Sequence, residues 1–148
     1  FICSGNTCRS VIAHAFFNDF KHKFRPDMLF SAESAGINAH EGEPPADNAV
    51  FCMAKYGIDI SLYRSKRIKP AIIKSADSIL IMTKKQKENL VDLFPFAKGK
   101  TFLLTHYANK NSSMCNEDII DPFGKDLFFY EKICYQIKDL VHRLIMNV

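Results

Sequence analysis

The chain has 148 residues, 47% hydrophobic and 24% charged, enough apolar material for one core and too much for a disordered segment. Its formal charge of +4, with basic residues scattered among acids, suits an anionic substrate rather than a nucleic acid, and no apolar run reaches the roughly 18 to 20 residues that span a bilayer. Five irregularly spaced cysteines fit neither a paired disulfide framework nor a zinc site. The expectation is one domain over residues 1–148, a monomer in the reducing cytoplasm, with no metal and no cofactor.

In chain order, Phe1-Ile2 reads as the end of a strand. Two residues are few for a central strand, so the expectation is a strand that begins upstream, the alternative being an unusually short one. The polar loop Cys3 to Ser10 follows, and then Val11 to Phe24, whose Ile12, Ala15, Phe16, Phe20 and Phe24 form a helical stripe. Met28 to Ser34 reads as a strand. Pro45 opens a second helix through Ala49, Val50 and Met53, which Gly57 ends as a left-handed cap. A helical turn near Ala71-Ile72-Ile73 precedes Ser78 to Met82, a buried parallel strand.

Thr83 and Gln86 have the spacing of a capping box, opening a helix over Lys84 to Leu93. Lys100 to Leu104 is the last strand, and Asp126 to Asn147 a long amphipathic helix with Tyr130, Ile133, Cys134, Ile137, Leu140, Val141 and Leu144 on its apolar face. The alternation predicts an α/β fold, a three-layer sandwich with a central four-stranded parallel sheet and helices on both faces. Ligands bind such sheets beyond the carboxyl ends of the strands.

The loop Cys3-Ser4-Gly5-Asn6-Thr7-Cys8-Arg9-Ser10 sits where strand passes into helix. There backbone N–H groups converge on one anion and the helix dipole favours negative charge. The same field favours a thiolate at Cys3, making it a candidate nucleophile with Arg9 as the clamp. Gly5 and Asn6 tolerate the left-handed backbone that so tight a loop demands. The alternative is a buried cysteine at a strand end beside a surface arginine.

These residues resemble the low-molecular-weight protein tyrosine phosphatases, whose signature is Cys-x-Gly-Asn-x-Cys-Arg-Ser with a distant Asp-Pro-aromatic. Here the second element is Asp121-Pro122-Phe123. Ser34-Ala35-Gly36, Gly57 to Ser61, Arg64-Ser65 and Ala76 to Met82 follow the family's pattern in its order. The resemblance implies that Cys3 attacks phosphorus, Arg9 binds two phosphate oxygens, and Ser4, Gly5, Asn6, Thr7, Cys8, Arg9 and Ser10 supply the amides of a phosphate cradle. It makes Asp121 the proton donor, ahead of Asp118 and Asp126, and a phosphorylated protein the substrate. Ser10 has two compatible readings, a donor to the Cys3 sulfur and a helix N-cap.

Thr7, His40 and Phe123 would line the substrate pocket. Phe123 stands where an aromatic walls the family's pocket, Gly124 where eukaryotic members place a second aromatic, and His40 where many have Trp, Tyr or Leu. Thr7 is found in the bacterial protein-arginine phosphatases, while tyrosine-directed members commonly have Ile there, so phosphoarginine is the alternative substrate. Two further readings carry less: an arsenate reductase lacks its relay cysteines in Thr83 to Pro95, Cys52 and Cys115 being elsewhere, and a phosphoprotein-binding module would not need Cys3 and Asp121 together. Cys8 is either a partner for oxidised Cys3, as in the family, or a core residue. Tyr63 stands where many members have a His supporting the loop asparagine, and Cys52 and Cys134 read as core.

Overall fold

The computed structural model describes residues 1–109 and 116–147. Four short parallel strands, β1 (Ile2–Cys3), β2 (Ala35–Gly36), β3 (Ile79–Ile81) and β4 (Thr101–Leu103), lie in the order β2-β1-β3-β4. Ile2 lies opposite Ala35 on one side and Ile81 on the other, and Cys3 opposite Gly36. From β1 the chain moves outward to β2 and then crosses to β3 on the far side. Connections that diverge in this way open a crevice at the carboxyl end of the central strand.

The pleat sends alternate residues to opposite faces. Ile2, Ala35, Ile79, Ile81 and Leu103 cluster with Ile73, Leu90 and Ala97, beneath α3 (Pro70–Ser75) and α4 (Lys84–Leu93). Cys3, Leu80 and Met82 belong to the larger cluster on the other face, covered by α1 (Arg9–Phe24), α2 (Asp47–Ala54), α5 (Leu104–Ala108) and α6 (Leu127–Met146). Covering both faces is what a parallel sheet requires. Each fully buried aliphatic chain, such as Ile12 or Ile137, contributes about 1.5–3 kcal/mol.

Most helices lie where their periodicity places them. All seven apolar positions expected of the last helix are buried, and Asp126 caps it by accepting the Phe129 N–H at 2.9 Å. Gly57, with φ 74°, ends the turn after α2. The strand expected over Met28 to Ser34 is corrected: β2 is Ala35–Gly36. A strand forms only where a neighbour offers a ladder, and Ile2 and Cys3 lie opposite Ala35 and Gly36, while Leu29 and Phe30 are exposed. The 3-10 turn Pro95–Lys100 and α5 are additions. Among the described residues no helix is long and apolar enough to cross a membrane.

Gly36 holds the tightest backbone approach in the sheet. Its N–H donates to the Lys66 carbonyl at 2.8 Å, and its own carbonyl accepts from Ile68 at 3.0 Å. A Cβ at this position would lie 2.6 Å from the Ser4 carbonyl oxygen and 2.9 Å from the Asn6 nitrogen. Both are backbone atoms of the anion loop and cannot swing aside. Gly36→Ala is therefore expected to lower stability to urea by about 1–3 kcal/mol, whereas Gly99→Ala, with nothing within 4 Å, stays near wild type. Equal unfolding midpoints for the two variants would contradict this packing.

Candidate active site

The loop from Cys3 to Ser10 turns at the carboxyl end of β1. Asn6 makes that turn with φ 54°, the one positive φ at a non-glycine residue among the described residues. Gly5, expected to share the left-handed backbone, does not adopt it. Asn6 is 2% exposed, and its carboxamide is fully engaged. The Lys66 N–H donates to Oδ1 at 2.8 Å, and because an N–H cannot accept, this bond fixes which end of the amide is which.

The other end then donates twice, from Nδ2 to Ser10 Oγ at 2.9 Å and to Ser34 Oγ at 3.0 Å. Since Ser10 Oγ accepts from Asn6, its own proton is directed to the Cys3 sulfur, 2.9 Å away. The Asn6 backbone N–H is a second donor to that sulfur, at 3.3 Å. Two donors aimed at one sulfur stabilise its anionic form. Ser10 is fully buried as the second residue of α1. The N-cap reading is corrected, because the capping position belongs to Cys8.

Arg9, the first residue of α1, is 2% exposed. Its Nη1 donates to the Ile119 carbonyl at 2.7 Å, and Nη2 lies 3.0 Å from Asp121 Oδ2. Nε is buried with no partner among the described residues, a donor suited to an incoming anion. The Ile119 N–H in turn donates to the Met82 carbonyl at 2.9 Å, hanging the Asp121 loop from the end of β3. Asp121 is half exposed and accepts the Phe123 N–H at 3.1 Å.

The rival acids have other work. Asp118 accepts the Lys84 N–H at the start of α4, at 2.8 Å, and Asp126 caps α6. Cys8 is buried, its sulfur 3.3 Å from the Tyr130 hydroxyl and 3.8 Å from the Thr7 hydroxyl. Burial pushes the Cys8 thiol up, with Cys3 and Asp121 adding to the effect. Burial likewise raises Tyr130, so both stay protonated.

Thr7 anchors the loop to α2 by accepting the Ala46 N–H at 3.0 Å. His40 is exposed on the segment after β2, which is stitched to the loop by Asn38 N–H donation to the Ser4 carbonyl at 2.9 Å. The His40 carbonyl accepts from the Ser65 hydroxyl. Phe123 is 73% exposed, two residues beyond Asp121. The fold thus gathers Cys3 to Ser10 with Asp121, and carries His40 and Phe123 on adjoining loops.

Several participants escape a reading of the sequence. The carbonyl of Ile119 and the N–H of Lys66 are backbone groups and leave no signature. Gln86 reads as half of a capping box, and its N–H does donate to Thr83 Oγ1 at 3.1 Å. Its side chain does not turn back to close the box, but donates to Ser4 Oγ at 2.9 Å. Tyr63 is absent from the hydrogen bonds of Asn6; its ring meets the edge of His14, 5.3 Å between centroids, where burial lowers the imidazole pKa to about 4. Cys52 and Cys134 are core, α4 contains no cysteine, and Cys115 lies outside the described residues.

Comparison with known proteins places this geometry. The low molecular weight phosphotyrosine protein phosphatase model matches residues 1–148. The low molecular weight protein-tyrosine-phosphatase Ptp of Acinetobacter johnsonii is 34% identical over 140 residues, 95% of this chain and 89% of that protein. The protein-arginine-phosphatase of Geobacillus stearothermophilus is 34% identical over 144 residues, 97% of this chain and 90% of that one. The crystal structure of the low molecular weight protein tyrosine phosphatase from T. tengcongensis superposes with a TM-score of 0.90 at 34% identity, covering 100% of this chain and 97% of the other. Sequence and fold agree over the full described length, and the chain belongs to the low molecular weight phosphotyrosine protein phosphatase family of hydrolases.

Proposed function

We propose that this chain hydrolyses phosphotyrosine in protein substrates through a phosphocysteine on Cys3. The observation that carries the reading is the 3.0 Å contact between Arg9 and Asp121. It sets a carboxyl group beside the guanidinium at the foot of the anion loop, while two donors converge on the Cys3 sulfur. Phosphate replaces Asp121 on Arg9 and the freed carboxylate takes up a proton from solvent; attack by the Cys3 sulfur then forms the S–P bond and breaks the P–O bond to the tyrosine oxygen, which takes that proton from Asp121. Arg9 turns its planar fork to the equatorial oxygens, and the loop amides from Ser4 to Arg9 take the remaining charge.

In the second step water attacks phosphorus, Asp121 accepts its proton, and the S–P bond breaks. Ser10 then donates to the departing sulfur, which makes it a better leaving group. Pro122 is buried and restricts the backbone of Asp121, stiffening the acid's loop. His40 and Phe123 flank the entrance, and the exposed ring of Phe123 offers a face to an aromatic substrate. We place this activity in one monomeric domain, residues 1–148, in a reducing cytoplasmic setting that suits the free thiols of Cys3, Cys8, Cys52 and Cys134.

A second reading rests on Thr7. Its hydroxyl lies on the Gly5 side of the loop, 3.6 Å from where a Cβ on Gly5 would stand, and it suits a polar guanidinium better than a flat ring. Asp121, half exposed, would then pair with the guanidinium and protonate its nitrogen. A single pocket group of this kind shifts selectivity by about 1–3 kcal/mol.

Cys3→Ser is expected to abolish turnover while still binding inorganic phosphate, as read by calorimetry; retained turnover would sink the mechanism. Asp121→Asn should lower kcat on phosphotyrosine peptides by about 10²–10⁴ and much less on aryl phosphates with good leaving groups. An equal loss on both substrates would remove Asp121 from the proton transfer. To separate the substrates, phosphotyrosine and phosphoarginine peptides are assayed side by side with wild type and Thr7→Ile. Phosphotyrosine turnover that survives the substitution supports the first reading, and dominant phosphoarginine turnover that collapses supports the second.

A further inference from the structure

Gln86 lies on α4, outside the loop, yet the residue is 6% exposed and its amide donates from Nε2 to the Ser4 hydroxyl at 2.9 Å. Burying a long polar chain costs free energy unless each end is matched, and its Oε1 has no partner among the described residues. Packing alone would favour Leu or Met at this position. The backbone that carries it is fixed at the start of α4: Thr83 Oγ1 accepts the Gln86 backbone N–H, and Asp118 accepts the Lys84 backbone N–H two residues earlier. That same short stretch carries Met82, whose carbonyl suspends Ile119 and so the loop of Asp121.

Ser4 is the first residue after the nucleophile. Its carbonyl is already committed to the Asn38 N–H, so the hydroxyl is the one group left to orient. A hydroxyl has one proton to give and two lone pairs. With one lone pair occupied by Gln86, the proton is turned away from α4.

We propose that Gln86 is a positioning residue for phosphate binding: by donating to Ser4 Oγ it directs the Ser4 hydroxyl proton into the anion cradle, adding a side-chain donor to the ring of amides. This rests on the phosphatase reading of the loop. The substitution Gln86→Met keeps length and volume but removes the donor, and the hydroxyl is free to rotate. Gln86→Glu keeps the shape but supplies only an acceptor, so the Ser4 proton is drawn to the carboxylate and lost to the phosphate.

The test measures competitive inhibition by inorganic phosphate, together with KM and kcat on an aryl phosphate, for wild type, Ser4→Ala, Gln86→Met, Gln86→Glu and the double variant Ser4→Ala/Gln86→Met. The inhibition constant for phosphate is expected to rise about tenfold in Ser4→Ala and in Gln86→Met, the usual size for a hydrogen bond to a charged group. It should rise further in Gln86→Glu, with KM moving more than kcat throughout. The double variant should be no worse than Ser4→Ala alone, because the amide acts through that hydroxyl. Wild-type phosphate affinity in Gln86→Met, or fully additive losses in the double variant, would overturn the assignment. Gln86→Glu retains the fold's shape if Gln86→Met does not, and wild-type affinity there would overturn it equally. Wild type that phosphate fails to inhibit would instead remove the cradle itself, a different failure from either.

Discussion

One hydrogen bond orders the site: the Lys66 backbone N–H held by Asn6 Oδ1. It leaves the carboxamide a single orientation, and from that orientation the directions of the Ser10 proton and of the donors around Cys3 follow in turn. The left-handed backbone at Asn6 costs of the order of 1 kcal/mol for a residue with a side chain. Contacts from three separate stretches, Ser10, Ser34 and Lys66, hold it there. A loop made rigid in this way has its donors aimed before substrate arrives, so the orienting cost is met during folding and not at the moment of reaction. Gly36 belongs to the same device, since only a residue without Cβ lets Ser4 and Asn6 come so close.

Asp121 is brought to the loop by a different logic. Asp121 is more than a hundred positions from Cys3 in the chain, and no helix or strand spans that gap. The loop carrying it is tethered at two points, the Met82 carbonyl holding Ile119 and the Lys84 N–H holding Asp118, both at the end of β3. Arg9 reaches across to meet it. One guanidinium nitrogen binds a buried carbonyl and fixes the fork, while the other rests on a half-exposed carboxylate. Water competes for such a pair, which makes it modest in strength and easily exchanged for a phosphate.

Most of the helices, the sheet's class and the residues gathered in the candidate site were legible because they depend on local pattern. Periodicity located α1 and α6, the capping-box spacing of Thr83 and Gln86 located α4, and the Cys3 loop with Asp121-Pro122 stood out as residue types at a spacing. What stayed hidden depends on partners that any sequence can supply. The Lys66 N–H and the Ile119 carbonyl are backbone groups, so no side chain advertises them. Strand β2 was misplaced because Met28 to Ser34 is as apolar as a strand, yet pairing follows the neighbour and not composition. Gln86 obeys a capping rule with its backbone while its side chain serves another element, and spacing cannot separate those two uses. Ser10 shows the reverse: at a helix start a serine suggests a cap, but a buried sulfur within 2.9 Å claims its hydroxyl.

The most direct measurement is chemical trapping of the intermediate. An aryl phosphate is mixed with the protein, the reaction is stopped in acid within milliseconds, and the digest is read by mass spectrometry for a phosphoryl group. A phosphorylated thiol is expected on the peptide containing Cys3, accumulating further when Asp121 is replaced by alanine and a substrate with a good leaving group is used. Turnover with no phosphoryl group on that peptide, or with the group on another residue, would contradict it.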